Sequence, residues 1–597
     1  MAQEKYLVNN RKIEILLSWV KSGEIAIPEI QRPFVWDATK VRNLMDSLYK
    51  GYPIGYLISW RNPNIKLKDG STSEGKKILI DGQQRVTALM AAILGNNVIN
   101  KEYKKIRIKI AFNPLEEKFE VSNTAIEKTP EWIPDISEVI NNEKITRVVR
   151  NYLVKNPNSN EDLIEDSITK LINITRQEIG LIELSPDLDI ETVTEIFIRI
   201  NSEGVVLSQA DFAMSKIASN ESHNGNNIRK CIDYFCHLIK APEFYENIST
   251  NDSDFVSTDY FSKIKWLKSE HETLYQPDYN DLIRVAFTSE FNRGKLADLV
   301  SLLSGRNFET RTYEESIVND SFLKLEKGIE KFVNENNFKR FLMIIKSAGF
   351  ISPKLIRSKN SLNFAYILYL KLRSQNYNPA EIESYVRRWF VYSVLTGRYS
   401  GSPESTFDSD IKQISDKKFS DYLKSKEEAE LSEAFWNHSL VQSLDTSAIN
   451  SPFFHVFLAS QIKNNDKGLF SKEITVESLI KHRGDIHHIF PKDFLKSNGL
   501  SKAKYNQIAN YVYMQQEINI KVGKKSPKQY FSELKQQIDN EEIGYSGIKT
   551  EEDLNKNLEM NCIPENISEM VFEDYDNFLE ARRVLMANKI KEFYFSL

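Results

Sequence analysis

Cysteine is scarce in this sequence, and its scarcity excludes two kinds of site. The chain has three cysteines in 597 residues, namely Cys231, Cys236 and Cys562. So few thiols exclude a disulfide-stapled secreted fold and favour a reducing compartment. Because Cys231 and Cys236 lack Cys-x-x-Cys spacing and no second pair exists, a cysteine zinc site is not expected.

Long apolar runs and a basic net charge are missing as well. The longest apolar run, Val86 to Leu94, is too short to span a bilayer. The N-terminal Met-Ala-Gln-Glu-Lys lacks the plan of a signal peptide. We therefore expect a cytoplasmic protein without a membrane partner. The formal net charge of −4 excludes a uniformly basic nucleic-acid binder but permits a local basic groove.

Internal repeats and low-complexity tracts are absent, while length and periodicity favour several domains. A chain of this length exceeds one hydrophobic core, so about two to four domains are expected. Apolar spacing predicts helices at 10–22, 39–49, 83–94 and 191–199, and strands at 25–30, 77–80 and 105–112. Further on, it predicts mostly helix over 210–395, a loop at 396–403 and a charged helix or linker at 416–433. We predict an α+β, mainly helical multidomain protein divided into 1–215, 216–425 and 426–597.

The segment Asp81-Gly82-Gln83-Gln84-Arg85 has the make-up of a phosphate-binding turn between a strand and a helix. Glycine allows close approach of the backbone to a ligand, and a helix N-terminus offers free N–H groups. The arginine adds donors for phosphate oxygens, and the aspartate suits a metal or a sugar hydroxyl. From these residues alone, a plain turn with a solvent-exposed arginine is the commoner explanation.

Histidine is also rare, yet three of the eight histidines, His482, His487 and His488, fall within a few residues of one another. Neutral imidazole is both a common metal ligand and a natural general base near pH 7. One of the adjacent pair can hold a divalent metal while the other takes a proton from water. Neighbouring side chains of a strand point to opposite faces, so the pair needs a bend to converge or else serves two faces. Two structural histidines are the alternative.

The residues downstream fit such a site. Asn510 and Asn519 follow the histidines, and Ser526-Pro527 is a typical helix start. The order His-His, Asn, Asn, helix resembles the HNH, or ββα-metal, nuclease motif. In that layout His487 and Asn519 are metal ligands, His488 is the general base, and Asn510 ties the intervening loop to the hairpin. The helix after Pro527 is predicted to carry the metal-facing end of the motif.

One imidazole and one amide oxygen form a thin ligand shell, which water and phosphate oxygens would complete. Such a shell suits Mg²⁺ or Mn²⁺ better than a closed zinc site. Asp485 is predicted to be a third ligand or a partner that orients His487. His482, between a lysine and an arginine, is predicted to face solvent or phosphate rather than the metal.

Lysines and an arginine flank the histidines and continue past them. Phosphate neutralisation by such residues gives sequence-independent, salt-sensitive DNA binding, although a solvated lysine face is the common alternative. This local basic patch on an acidic chain consists of Lys481, Arg483, Lys492, Lys496, Lys502, Lys504, Lys521, Lys524, Lys525 and Lys528.

The Asp81 segment is accompanied by Pro28-Glu-Ile-Gln-Arg-Pro-Phe-Val-Trp-Asp37 and Phe197-Ile-Arg-Ile-Asn-Ser-Glu-Gly-Val-Val-Leu-Ser208. Together these segments resemble the ParB/sulfiredoxin-like N-terminal half of GmrSD-type restriction enzymes, over about the first 215 residues. The resemblance implies binding and hydrolysis of a nucleoside triphosphate, GTP or ATP. The residues that inherit this role are Asp81, Gly82, Gln83, Gln84, Arg85, Arg32 and Asn201.

The two halves together resemble a GmrSD-type, modification-dependent restriction endonuclease. The resemblance implies an HNH enzyme that cuts or nicks DNA, modified phage DNA included, in anti-phage defence; a homo-oligomer is an open expectation. The alternative is a nucleotide-gated DNA-binding regulator with an inactive nuclease fold. A sulfiredoxin-like reductase is disfavoured because no cysteine lies near residues 81–85.

Overall fold

The computed structural model describes residues 5–26, 36–61, 77–100, 104–141, 144–188, 192–193, 208–220, 222–269, 274–482, 486–540 and 547–597. Three of the predicted site residues, Arg32, Asn201 and Asp485, lie outside these ranges. In the described part of the chain, helices far outnumber strands, which confirms the α+β, mainly helical class. No described helix combines the length and the apolar character that crossing a membrane requires.

The chain forms two compact units. The first comprises Met1–His271, Asp278–Ile283 and Leu296–Glu326, and the second comprises Glu272–Pro277, Arg284–Lys295 and Lys327–Leu597. The predicted boundaries at 215 and 425 fall within helices Gln209–Ser219 and Phe419–Glu430. The division into 1–215, 216–425 and 426–597 stays a prediction.

Eleven strands are numbered here in chain order. They are β1 Tyr6–Lys12, β2 Ile25–Ala26, β3 Tyr56–Arg61, β4 Lys77–Asp81, β5 Val98–Ile99, β6 Lys105–Ile106, β7 Ile110–Asn113, β8 Lys118–Val121, β9 Glu178–Leu184, β10 Ile486–His488 and β11 Tyr511–Tyr513. The main sheet has the order β1-β9-β3-β4-β2, and three two-stranded sheets pair β5 with β6, β7 with β8 and β10 with β11.

Besides the main sheet, the first unit contains many helices. They are Ile13–Ser22, Ala38–Tyr49, Gln83–Ile93, Thr124–Lys128, Ile136–Ile140, Ile145–Lys155, Glu161–Ile172, Gln209–Ser219, Gly225–Leu238, Tyr245–Asn251, Ser253–Val256, Asp259–Ile264 and Leu296–Leu303, with 3₁₀ turns at Asn173–Arg176, Pro242–Phe244 and Lys265–Ser269. Helices Tyr279–Phe291 and Glu315–Val333 contain residues of both units.

The second unit is built almost entirely from helices. They are Glu335–Ser347, Lys359–Ser374, Pro379–Leu395, Pro403–Asp416, Phe419–Glu430, Leu440–Ser443, Pro452–Lys463, Val476–Lys481, Lys492–Ser497, Lys502–Tyr505, Gln516–Val522, Pro527–Asp539, Glu551–Met560 and Tyr575–Phe595. Short turns occur at Pro353–Leu355, Phe435–Ser439, Ile508–Asn510, Glu565–Glu569 and Phe572–Asp574.

The amphipathic helices of the first unit form as their sequence predicts. Asp37 accepts a hydrogen bond from the Lys40 backbone N–H at 2.8 Å and begins helix Ala38–Tyr49, whose Val41 and Met45 are fully buried. Helix Gln83–Ile93 follows β4 directly. Both predictions, 39–49 and 83–94, are therefore confirmed to within one residue.

Two predictions in this unit are wrong in detail. The predicted helix at 10–22 begins at Ile13, because residues up to Lys12 belong to β1, which pairs with β9 along its whole length. The predicted strand at 105–112 is two strands, since β6 pairs with β5 and β7 pairs with β8. In both cases the strand boundaries are set by pairing with another strand, and the apolar periodicity of a single sequence does not reveal such pairing.

Candidate functional site

The adjacent histidines lie in a short antiparallel pair of strands in the second unit. His487 pairs with Val512, and His488 pairs with Tyr511, in an uninterrupted register between β10 and β11. Residues paired across an antiparallel ladder lie on the same face, and neighbours along a strand lie on opposite faces. The two imidazoles therefore project to different sides of this small sheet.

His488 is the better defined of the two. Its Nε2 lies 3.0 Å from Asn506 Oδ1, and its ring packs edge-on against Tyr511, with centroids 5.2 Å apart. Burial lowers the pKa of His488 below its ordinary value, and the nearby positive charge of Lys492 lowers it further, against an opposing contribution from Asn506. The neutral ring, the form that a general base requires, is therefore favoured.

The contact with Asn506 also decides which nitrogen of His488 is basic. An amide oxygen only accepts hydrogen bonds, so Nε2 donates to Asn506 and the neutral ring keeps its lone pair on Nδ1. The sequence analysis did not identify Asn506. It lies outside the His-His, Asn, Asn pattern, and only the return of the intervening loop brings it to the histidine.

Asn510 is completely buried and fastens the loop to the hairpin. Its Oδ1 accepts from the Phe490 backbone N–H at 2.8 Å, and its Nδ2 donates to Phe490 O at 3.1 Å and to Tyr505 O at 3.3 Å. Its backbone carbonyl accepts from the Ile489 N–H at 2.9 Å. Because the amide is used on backbone groups, Asn510 acts by positioning the loop and not by contacting a substrate.

Asn519 lies on helix Gln516–Val522, which follows β11 almost directly. Asn519 therefore lies on a separate helix before Pro527, and the prediction that the helix after Pro527 carries the metal-facing end stays a prediction. Helix Pro527–Asp539 is the next helix along the chain, and it begins as expected at Ser526, which shares a capping box with Gln529. The sequence has a clear helix start at 526–527, whereas the shorter helix before it has no side-chain cap and was not predicted.

The side chains available as ligands limit which metal ion could bind at the hairpin. His487, 8% exposed, offers an imidazole nitrogen, and Asn519 offers an amide oxygen. Within the described ranges no group of three His, Cys, Asp or Glu side chains could hold a metal ion. A closed zinc site does not fit these residues, whereas a hard divalent cation completed by water and phosphate oxygens does.

Residues far along the chain support the hairpin. The fully buried Arg582 donates from Nη1 to Ala509 O at 2.8 Å and to Tyr511 O at 2.7 Å, on either side of Asn510. The Tyr530 hydroxyl donates to Ile489 O at 2.9 Å. The sequence analysis missed both, because nothing in their local sequence marks a contact with this loop.

Most lysines of the predicted basic patch are exposed, and Arg483 lies outside the described residues. The exposed lysines are Lys481, Lys492, Lys496, Lys502, Lys504, Lys521, Lys524 and Lys528. Lys525 differs, since it pairs with Glu533 at 2.6 Å, and Lys481 pairs with Glu477 at 2.5 Å. The positive charge of Lys492 lowers the pKa of His488, so this lysine of the patch lies in the electrostatic environment of the histidine.

The Asp81–Arg85 segment of the first unit forms a tight strand-to-helix turn. Arg85 Nη2 donates to Asp81 Oδ2 at 2.8 Å, and Arg85 Nη1 donates to Ile54 O at 3.0 Å. The guanidinium of Arg85 therefore links Asp81, at the start of the turn, to the loop that contains Ile54. It is not a freely exposed arginine, because 19% of its side chain is accessible.

Two glycines make this packing feasible. Gly82 has φ +90°, and a Cβ there would lie 2.1 Å from Leu57 Cδ2; a Cβ on Gly55, at φ +86°, would lie 2.6 Å from Arg85 Nη1. Val86 N–H donates to Gly82 O, so the amides before it open the helix without an intrahelical partner. The turn thus combines close backbone packing with a helix N-terminus, two features that a phosphate site uses.

The glutamines of this turn have protein partners. Gln83 Nε2 donates to Leu79 O at 3.0 Å, and Gln84 is also engaged. Arg32 and Asn201 lie outside the described residues, so the structure brings Asp81, Gly82, Gln83, Gln84 and Arg85 together and leaves the other two as predictions.

Two comparisons bear on these geometries. Residues 13–218 match the family model of the GmrSD restriction endonuclease, N-terminal domain. A protein of Methanocaldococcus jannaschii that carries the name "Uncharacterized protein" is 24% identical to this chain. The aligned region covers 97% of this chain and 98% of that protein. The first match covers the Asp81 turn, and the second extends along both compact units.

Proposed function

We propose that this protein is a metal-dependent DNA endonuclease of the restriction type, regulated by a nucleoside triphosphate. The observation that carries the proposal is the β10–β11 hairpin, in which a partly buried, orientated His488 lies next to His487 and Asn510 holds the loop in place. The similarity of residues 13–218 to a restriction-enzyme domain supports the same conclusion.

In this proposal His488 is the general base. Its Nδ1 accepts a proton from the attacking water, while Asn506 holds Nε2–H and keeps the ring in place. His487 and Asn519 would hold one Mg²⁺ or Mn²⁺ ion, which stabilises charge on the scissile phosphate when bound. The exposed lysines around the hairpin would hold neighbouring phosphates.

The first unit is proposed to bind and hydrolyse GTP or ATP at the Asp81–Arg85 turn. The N-terminus of helix Gln83–Ile93 and the close backbone at Gly82 suit a phosphate. Modified phage DNA as the substrate, and defence against phage as the biological role, follow from the family similarity alone.

A DNA-binding regulator with an inactive nuclease fold is the second candidate. It is favoured by one observation: the paired histidines occupy opposite faces of an unbroken ladder, which separates the ligand from the base. The decisive experiment incubates modified and unmodified plasmid DNA with Mg²⁺ or Mn²⁺, with and without GTP or ATP. Cleavage in any arm supports the endonuclease, and DNA binding without cleavage in every arm supports the regulator.

Replacing Asn506 with alanine is expected to slow cleavage roughly 10- to 100-fold, the usual cost of losing a residue that orients a catalytic group. The variant loses the acceptor that fixes the His488 tautomer, so the turnover rate falls while the KM for DNA stays the same. Asn506→Asp keeps an acceptor and should retain more activity. Asn498→Ala, an exposed asparagine in the same loop, is the control. Equal turnover in Asn506→Ala and the control contradicts the positioning role.

Arg85→Ala is expected to lower triphosphate hydrolysis at least tenfold, because the variant releases Asp81 and the Ile54 loop from the turn. Nucleotide turnover and the melting temperature are measured together, so that unfolding is distinguished from loss of the site. Arg42→Ala, in the same unit with a loose ion pair to Glu120 at 3.7 Å, is the matched control. Unchanged turnover in a folded Arg85→Ala protein removes this turn from the mechanism.

A further inference from the structure

Two neighbouring helices of the first unit form a surface without an assigned role. Helix Ile145–Lys155 contacts helix Glu161–Ile172, and residues 156–160 connect them. Asn160 begins the second helix by accepting a hydrogen bond from the Leu163 backbone N–H at 3.3 Å. A connection this short makes the helices antiparallel neighbours. We name these two helices the charged helix pair.

The first helix of the pair exposes positive charge only. Arg147, Arg150 and Lys155 are exposed, whereas Val149 and Tyr152 are buried. No acidic residue occurs from 144 to 160 in the sequence. None of the three cations forms an ion pair with a described residue.

The second helix exposes the opposite charge. Its buried side consists of Ile164, Ile168 and Leu171. Its exposed carboxylates are Glu161, Asp162, Glu165 and Asp166. Among the described residues, these carboxylates also have no ion-pair partner. Lys170, in the last turn of this helix, is also exposed and pairs with Glu117 at 3.1 Å. The first helix therefore exposes cations, and the first two turns of the second helix expose carboxylates.

Other exposed helices of this chain mix their charges. Opposite charges pair one turn apart within a single helix in several places, for example Lys50 with Asp46 at 2.8 Å and Lys556 with Glu552 at 2.6 Å. Such pairs are the ordinary arrangement of a solvated helix. Among the described residues, neither helix of the charged helix pair contains such an ion pair. This surface therefore differs from that of an ordinary solvated helix.

Apolar side chains are exposed at one end of the same surface. Val154 is 76% exposed and Leu163 is 65% exposed. Val154 precedes the connection and Leu163 follows it, so both lie at the same end of the antiparallel pair. Single exposed apolar residues are common, but here two of the most exposed in the described chain adjoin unpaired charges of both signs.

We propose that the charged helix pair is a contact between two copies of this chain. A two-fold axis would lay the basic helix of each copy along the acidic helix of the other. Such a contact uses one surface twice, so a surface with both signs side by side complements itself. A nucleic acid fits less well, because its phosphates would meet the carboxylates beside the cations.

The size of the surface limits the strength of this dimer. Helices of 11 and 12 residues are roughly 17 Å long, and two such helices cover less than the about 800 Å² per partner of a standard interface. The dimer is therefore weak, formed at roughly 100 µM and above, and sensitive to salt.

A charge exchange tests the dimer directly, by sedimentation at low salt over a range of concentrations. Arg147→Glu/Arg150→Glu gives both helices a net negative charge, and Asp162→Lys/Asp166→Lys gives both a net positive charge. Each variant alone is expected to raise the dimer dissociation constant at least tenfold. An equimolar mixture of the two is expected to restore the dimer, because surfaces of opposite net charge attract.

Lys109→Glu/Lys118→Glu reverses two exposed lysines elsewhere in the same unit and should leave the dimer unchanged; melting curves confirm that each variant is folded. A wild-type protein that stays monomeric at every concentration overturns the inference, as does a mixture of folded variants that fails to associate. Weaker DNA binding by Arg147→Glu/Arg150→Glu, with wild type monomeric, identifies a nucleic-acid surface instead. The measurement needs no cleavage, so its result is independent of the proposed function.

Discussion

His488→Ala is expected to abolish DNA cleavage, lowering turnover roughly 10²- to 10⁴-fold, the usual contribution of a general base. The ring is held by Asn506 and by the edge of Tyr511, and burial keeps its pKa below the ordinary histidine value. Removing it takes away the proton acceptor but none of the exposed lysines. DNA affinity and the melting temperature should therefore stay close to wild type.

The matched control is His482→Ala, a nearby histidine that is exposed and lies outside the hairpin. Plasmid nicking and linearisation are followed in single-turnover conditions, with DNA affinity measured separately by fluorescence anisotropy. Comparable cleavage by His488→Ala and His482→Ala would show that His488 is not the base. Loss of cleavage in both would point to a general effect of the segment on DNA binding.

The sequence predicts the short-range features of this site well. Adjacent histidines on a strand, an asparagine before the returning strand and a capped helix after it are all local patterns, and β10, β11 and helix Pro527–Asp539 form where those patterns lie. Helix Gln516–Val522 was not predicted, because no side chain caps its start. Local signals report the start of a helix only where a cap provides one.

The long-range contacts of the site could not be predicted from the sequence. Arg582 holds carbonyls on either side of Asn510, and it is separated from them by more than seventy residues of chain. A buried arginine with only carbonyl acceptors has no charged partner that a sequence could suggest. The same limit applies in the first unit, where the clamp of Arg85 on Ile54 O depends on a loop from an earlier strand.

The second unit contains a buried polar cluster that could not be predicted from its sequence. Asp410 is fully buried and accepts from Arg398 Nε at 2.8 Å and Nη2 at 2.5 Å, from the Tyr399 hydroxyl at 2.8 Å and from the Tyr422 hydroxyl at 2.7 Å. Trp389 Nε1 in turn donates to the Tyr399 hydroxyl at 3.0 Å. The predicted loop at 396–403 and the charged segment at 416–433 thus meet around one carboxylate.

Asp410→Ala is expected to destabilise the second unit by about 3–5 kcal/mol, the cost of leaving a buried charge without its partner. Arg398 keeps one carboxylate partner, Glu430, at 3.1 Å, and its longer contacts with the hydroxyls of Tyr392 and Tyr422. The buried hydroxyls of Tyr399 and Tyr422 lose their acceptor. Urea unfolding followed by tryptophan fluorescence measures the loss, since Trp389 adjoins the cluster. Asp416→Ala, at the exposed end of the same helix, should change stability by about 0.5 kcal/mol or less. A cost for Asp410→Ala no larger than this control would mean that solvent or a rearranged Glu430 compensates Arg398.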